Sequence, residues 1–293
     1  MLESISKGLK FPVLDHGYVT VRNWMGDESE IVNAARISYG EGTKSLNNDI
    51  GLIRYLIKHY HNTPLEMCEI QFEMAMPIFV ARQFVRHRTA NINEYSARYS
   101  EMLNVFYVPE PETLAFQSTT NKQGRSEKPI EDPELVSGIL DCINSNDEVT
   151  FEKYKYLIKN NLSRELSRMV LPLNIYTKWV WKCDVNNLMK FLKLRQDSHA
   201  QYEIRVYADA MAQALSLWMP NVYQAYIDYS KEAVTFSRME MDMLLRANFE
   251  GKSVKDWLSS VIVTYGSKQA VAIEYSLSIR ELNEFMVKFE KNS

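Results

Sequence analysis

Along most of the chain, apolar residues recur every three or four positions, the spacing of a helix with one buried face. Residues 28–38 (ESEIVNAARIS) and 48–60 (NDIGLIRYLIKHY) have it, as do stretches near 133–144, 149–161, 185–194 and 197–217. Ser163 is placed to cap a further helix, SRELSRMV, which Leu171-Pro172 ends because a proline pushes the residue before it out of the helical region. Asn62-Thr63-Pro64 is a stop of the same kind. Elsewhere the period falls to two. In 66–76, Met67, Glu69, Gln71 and Glu73 alternate with Cys68, Ile70, Phe72 and Met74, the pattern of a strand with one wet face. Residues 12–25 alternate loosely, with Gly17 as a turn between short strands, and 173–182 (LNIYTKWVWK) are rich in strand formers. Pro77 opens a helix, PIFVARQFVRHR, at a first-turn position that tolerates proline. Residues 89–99 read as polar and irregular, and 118–133 as a solvated loop. Past about residue 230 a charged helical tail follows, so the chain divides into 1–230 and a C-terminal extension, 231–293.

Composition sharpens this picture. Ten glycines and nine prolines in 293 residues are about half the usual ~12% share, which favours helices over many short strands. The net charge of −3 excludes a general polyanion binder but not a local basic site. Cys68, Cys142 and Cys183 are far apart and odd in number, so a reducing compartment is expected rather than a disulfide framework. No signal peptide is recognised at the start. The longest uncharged run in the C-terminal half, from Ala210 to Ile227, carries Gln213, Ser216, Pro220, Asn221 and Gln224, too polar for a membrane span. A cytoplasmic protein with no membrane partner is the expectation.

The chemistry is concentrated in two places. Glycine is absent from 52–123 and from 139–250, so a phosphate bound there is held by side chains or a helix end. No dinucleotide-binding, P-loop, nucleophile-elbow or paired metal-ligand motif is present. Residues 82–100 hold Arg82, Arg86, His87, Arg88 and Arg98 beside Asn91, Asn93, Glu94 and Ser96. Arg82 and Arg86, one turn apart on the expected helix, would repel unless an anion lies between them. Arginine makes forked contacts to phosphate and planar acceptors. The plainer alternative is a solvated basic helix end. The second concentration is LRQDSHAQYEIR, 194–205, where Asp197 or Ser198 is a candidate helix cap and His199 and Glu203 are spaced i, i+4. That pair suits either a metal or a buried polar contact.

The segment RHRTANINEYSARYS, 86–100, resembles the RHRxxSxNExSxRY signature of flavin-dependent thymidylate synthases, with Asn91 in place of the usual serine. His61-Asn-Thr63-Pro64, PIFVARQF, VLPLNIYT and LRQDSHAQYEIR look like segments of the same family, in the same order, so the resemblance spans roughly 12–230. It implies an α+β fold of the thymidylate synthase-complementing type, with helices packed around a mostly antiparallel sheet. It also implies a homotetramer with active sites at subunit interfaces. The implied reaction makes dTMP from dUMP, with methylenetetrahydrofolate as carbon donor and NADPH-reduced FAD as hydride donor. Carried over by position, FAD would meet His61, Thr63, Arg86, His87, Arg88 and Glu94, and later Asp184, Val185, Asn186 and Lys190. The dUMP site would use Gln83, Phe84, Val85, Arg86, Glu94, Tyr95, Ser96, Ala97, Arg98, Arg168 and Arg195.

Such a reaction needs uracil C5 to become nucleophilic, and no cysteine lies in either motif. A cation at the N3/O2 edge of the pyrimidine is the alternative, and Arg195 is the expected catalytic group because arginine cannot lose its own proton. Ser96 has no histidine beside it in sequence and is expected to bind phosphate or backbone rather than attack. Tyr95 and Tyr99 either stack on a ring or pack. Two rivals from other classes are a nucleic-acid module built on the RHR helix and a metal-dependent phosphohydrolase using His59, His61, His199 and Glu203. The charge counts against the first and the missing ligand set against the second, so no nucleic acid and no metal are expected.

Overall fold

A computed structural model describes residues 4–37, 49–119 and 122–289. The chain separates into two compact units, Met1–Lys231 and Glu232–Ser293.

The first unit is built on a five-stranded sheet, antiparallel at every pairing, in the order β1-β2-β3-β5-β4. Its strands are β1 (Lys10–Val13), β2 (Gly17–Met25), β3 (Glu69–Pro77), β4 (Asn91–Glu94) and β5 (Tyr176–Asp184). The helices are α1 (Glu28–Ile37), α2 (Asp49–Lys58), α3 (Ile78–Phe84), α4 (Pro133–Lys159), α5 (Arg164–Ser167), α6 (Val185–Arg195), α7 (Tyr202–Trp218) and α8 (Pro220–Tyr226).

Register explains the core. Ile70, Phe72 and Met74 of β3 lie opposite Cys183, Trp181 and Trp179 of β5. All six point to one face and are buried against Leu188, Phe191 and Leu192 of α6 and Ile204, Tyr207 and Met211 of α7. The other face is wet only as far as Glu73. Beyond it Ala75 is buried with Tyr107 and Tyr176, because a loop crosses the sheet there.

Several local expectations are corrected. Gly17 is not the turn: Leu14, at φ 57°, makes it, and Gly17 opens β2 where a Cβ would run into the Tyr207 hydroxyl. The stop at Thr63-Pro64 instead begins a short 3-10 turn, Thr63–Met67. The PIFVARQFVRHR helix ends at Phe84, so Arg86 does not stack on Arg82 along one continuous helix. The irregular 89–99 segment contains β4, a short edge strand without apolar alternation that exists by pairing with β5. The two helices expected over 133–161 are one, capped by the Asp132 carboxylate. Finally, α7 begins at Tyr202, so neither Asp197 nor Ser198 caps it.

The second unit contains α9 (Arg238–Phe249), α10 (Val254–Tyr265), α11 (Lys268–Glu274) and α12 (Ile279–Val287) around its own core of Met243, Trp257, Leu258, Val271, Leu282 and Phe285.

Candidate active site

Helix α3 carries the first set of residues to the sheet edge. Phe84 is fully buried among Trp179, Trp181, Phe191 and Tyr207, with its ring centre 4.8 Å from that of Phe191. This anchor fixes where the helix stops. Beyond it the His87 amide donates to the Phe84 carbonyl at 2.9 Å, and the chain turns so that Arg86 and Arg88 face solvent. Among the described residues, Arg82, Arg86 and Arg88 have no carboxylate partner. Exposed cations this close in sequence and without carboxylate partners leave their donors open to an anion.

Helix α6 delivers Arg195 to the same place. Asp184 caps it, accepting from the Asn187 amide at 2.8 Å and side chain at 2.6 Å, and Arg195 is its last residue. Arg195 donates from Nε to His87 Nε2 at 3.0 Å and from Nη2 to the Gln83 carbonyl at 3.2 Å. Its Nη1 carries no hydrogen bond to a described residue. Burial pushes the Arg195 pKa down, and burial together with the Arg195 charge lowers that of His87 to about 4. His87 is therefore neutral near pH 7. It accepts from Arg195 on Nε2, which places its own proton on Nδ1, and its ring edge packs on Phe191.

A hydrogen-bond chain supports this corner from behind. The Gln83 side chain donates to Gln201 at 2.6 Å, and Gln201 donates to Glu203 at 2.8 Å. Glu203 is 4% exposed, and its carboxylate also receives Arg125 Nη2 at 2.7 and 2.8 Å and the Tyr107 hydroxyl at 3.2 Å. Sequence reasoning missed Arg125 and Gln201. An arginine in a polar loop and a glutamine before a helix carry no local signal. The loop expected to be wholly solvated is tied down at Arg125.

The segment after β4 forms a tight turn. The Ser96 carbonyl accepts from the Tyr99 and Ser100 amides, both at 3.1 Å, and the Ser96 hydroxyl accepts from the Arg98 amide at 3.3 Å. Among the described residues no histidine or carboxylate activates Ser96. Tyr95 donates its hydroxyl to the Glu101 carbonyl, Ala97 is buried, and Tyr99 is exposed and packs little. Glu94 accepts from Thr177 at 2.8 Å. Glu165 then draws two cations together: its carboxylate lies 3.7 Å from Arg98 Nε, and its carbonyl accepts from Arg168 Nε at 3.3 Å. Arg98 and Arg168, distant in sequence, are thus brought side by side at the surface.

The remaining positions are dispersed in role. Helix α2 ends with the Tyr60 amide on the Ile57 carbonyl and the His61 amide on the Leu56 carbonyl, Tyr60 being left-handed at φ 59°. That ending presents His61 to solvent, its ring 5.6 Å from Tyr55 and nearly parallel to it. Thr63 is exposed at the start of the next turn, and Lys190 is exposed on α6. The Asn186 side chain is spent on Glu66 at 2.8 Å. Phe84 and Val185 are wholly buried, so any ligand contact they make is through the main chain, and Val85 is exposed.

The His199–Glu203 pairing does not form: exposed His199 bonds Asp197, while Glu203 is buried with Arg125. Among the described residues no group of three or more His, Cys, Asp or Glu is poised to hold a metal, and no helix is long and apolar enough to cross a membrane. Cys68 and Cys183 are buried; burial pushes the Cys68 thiol up to about 11 and that of Cys183 well above its ordinary value. Cys142 is exposed on α4, apart from these residues in sequence.

The sequence matches the family described as thymidylate synthase complementing protein over residues 20–221, a span that contains every residue placed above from His61 to Glu203. It is 48% identical over 258 residues to the flavin-dependent thymidylate synthase of Ruegeria pomeroyi, covering 84% of this chain and 85% of that protein. With the enzyme of the same name from Wolbachia pipientis wMel it shares 49% identity over 242 residues, covering 83% and 84%. Among solved structures, a UMP/dUMP methylase, PolB, from Streptomyces cacaoi, bound with 5-Br dUMP, is similar with a TM-score of 0.67 at 29% identity, covering 75% of this chain and 99% of that one.

Proposed function

The chain belongs to the thymidylate synthase complementing protein family, and on that premise we propose which of its residues carry the reaction. The activity is flavin-dependent thymidylate synthesis, in which dUMP becomes dTMP, methylenetetrahydrofolate gives the carbon and is released as tetrahydrofolate, and FAD reduced by NADPH gives the hydride.

The residues present suit a flavin dinucleotide. Arg82, Arg86 and Arg88 offer unpaired cations to a diphosphate, and the exposed Tyr55–His61 stack offers a flat face to a ring. We assign FAD binding to His61, Thr63, Arg86, His87, Arg88 and Glu94, with Asp184, Val185, Asn186 and Lys190 as the later positions. Asp184 and Asn186 serve first to shape the start of α6.

One observation carries the catalytic assignment: Arg195 is half-buried and locked by His87 and Gln83, with Nη1 uncommitted. A guanidinium held about 4 Å from the N3/O2 edge of uracil stabilises negative charge there by roughly 4 kcal/mol at an effective dielectric near 20. That raises electron density at C5 without a covalent enzyme adduct. The buried thiols of Cys68 and Cys183 are not available for such an adduct, because they stay protonated at neutral pH. Gln83, Arg86, Glu94 and Tyr95 orient the nucleotide, with the main chain at Phe84 and Val85. The 96–98 turn of Ser96, Ala97 and Arg98, together with Arg168, receives the phosphate.

The arginine cluster and the 96–100 turn lie open on a single chain, which supports a homotetramer whose subunit interfaces close the sites, in the cytoplasm. Light scattering tests the assembly: a tetramer is expected, and a stable monomer contradicts it. The reaction is tested by following dTMP formation with FAD present, which requires NADPH, dUMP and methylenetetrahydrofolate together. Formation of dTMP without flavin would refute the assignment.

A further inference from the structure

Gln201 does not do what its position suggests. It is the residue that leads into α7, where serine, threonine, asparagine or aspartate usually caps the free amides, yet its side chain accepts from no helix amide. It reaches sideways instead, from Gln83 on α3 to Glu203 in the first turn of α7. The main chain that carries it is held in place. Its carbonyl accepts from the Arg205 amide at 3.1 Å. The ring of the next residue, Tyr202, has the guanidinium carbons of Arg125 and Arg205 at 5.5 and 5.9 Å from its centre.

Chemistry fixes the direction of this chain of bonds. The Glu203 carboxylate is buried against the Arg125 guanidinium and near the positive end of α7, so it offers acceptors only. Every group that meets it must donate, as Arg125 and Tyr107 do. Gln201 therefore turns its amide nitrogen to Glu203, at 2.8 Å, and keeps its oxygen for Gln83. Facing an oxygen, Gln83 must in turn present its own nitrogen, at 2.6 Å. The Gln83 Oε1 is left over, and among the described residues nothing donates to it. A glutamine amide free in water could face a ligand either way round. Here one orientation is selected by a carboxylate two residues removed.

We infer that Gln201 is a positioning residue for dUMP: it relays the acceptor character of Glu203 so that Gln83 presents its carbonyl oxygen to a donor on the nucleotide. The inference rests on the reading of Gln83 as a dUMP residue. Gln201 itself touches no reacting atom. Its effect falls on binding and not on the chemical step, because Arg195 is held by the main-chain carbonyl of Gln83 and by His87, neither of which depends on the Gln83 amide.

The test is a double-mutant cycle on the full, FAD-loaded chain with Gln201→Met, Gln83→Ala and the two together. Calorimetry gives the dissociation constant for dUMP, and kcat and the thermal midpoint are measured beside it. Methionine keeps the length of the glutamine side chain without its polar atoms, at an exposed position. Gln201→Met should weaken dUMP binding by up to about tenfold, the worth of one hydrogen bond, with kcat and the midpoint unchanged. In the Gln83→Ala background the same replacement should have no further effect. Gln201→Met that binds dUMP as the unaltered chain does would overturn the inference, and so would an equal loss in both backgrounds. Unweakened binding by Gln83→Ala would overturn it at its premise. Because binding is read without turnover, a chain that binds dUMP but forms no dTMP would refute the proposed activity while the cycle still decides the role of Gln201.

Discussion

Arg195 Nε and His87 Nε2 are 3.0 Å apart, a cation donating to a neutral imidazole at the junction of α3 and α6. The pairing needs His87 unprotonated, and burial beside the guanidinium keeps it so. In return, His87 and the Gln83 carbonyl fix the plane of the guanidinium. The cation proposed to act on the pyrimidine is thereby placed with no carboxylate partner among the described residues.

Replacing the cation should therefore stop the chemistry. Arg195→Ala is expected to lower kcat by about a thousandfold, since roughly 4 kcal/mol of charge stabilisation corresponds to about three decades at 1.36 kcal/mol each. Ser96→Ala should keep measurable turnover, because Ser96 has no general base and serves the turn. A Ser96→Ala enzyme that binds dUMP and forms no dTMP would show that the hydroxyl reacts.

The lowered pKa of His87 has a signed consequence for stability. The unfolded chain takes up this proton near pH 6.5, whereas the folded chain takes it up only at about 4. The stabilisation is complete above about 6.5 and is lost as pH falls toward 4. The full shift would amount to about 3 kcal/mol, and partial exposure of the ring reduces it to about 1–2 kcal/mol. Urea midpoints across this range should fall more steeply for the unaltered chain than for His87→Asn. Equal slopes would place the ring in water.

Glu203 holds three donors from different parts of the chain. Removing it with Glu203→Ala leaves the partly buried Arg125 guanidinium bonded to the Thr113 carbonyl at 2.7 Å but with no carboxylate to balance its charge, at a cost of about 3 kcal/mol. Urea denaturation measures the loss, and limited proteolysis should show new cleavage within 118–133. An unchanged digestion pattern would mean that Arg125 does not tether the loop.

Phe84 is wholly internal and lies between Gln83 and His87, two residues proposed to meet ligands. Phe84→Ala should cost about 3–5 kcal/mol, the usual range for a buried phenylalanine. It should also raise KM for dUMP, because Gln83 and His87 lose the anchor between them. Phe84→Leu, which keeps most of the volume, should recover most of both.

Fold class and the positions of most helices were legible because amphipathic spacing is a local property. β4 was not, since Asn91 to Glu94 contain no apolar alternation and become a strand only against β5. The helix expected to reach Arg88 stops at Phe84 because tertiary packing of that ring, together with Arg195 on the Gln83 carbonyl, outweighs helix propensity. Gly17 suggested a turn, but its reason lies across the fold in Tyr207. The candidate site residues were proposed only through the order of family-like segments. That Glu165 would gather Arg98 and Arg168, or that Gln201 would link Gln83 to Glu203, depends on contacts between distant segments that no spacing encodes.

The most direct test is an anaerobic single-turnover reaction of the purified, FAD-loaded chain, reduced by NADPH and then mixed with dUMP and methylenetetrahydrofolate. The flavin absorption should bleach on reduction and return as dTMP forms, one per flavin, and Arg195→Ala should bleach but form almost none. Reoxidation without dTMP, or dTMP formed at the full rate by Arg195→Ala, would contradict the central claim that this arginine activates the pyrimidine of a flavin-dependent reaction.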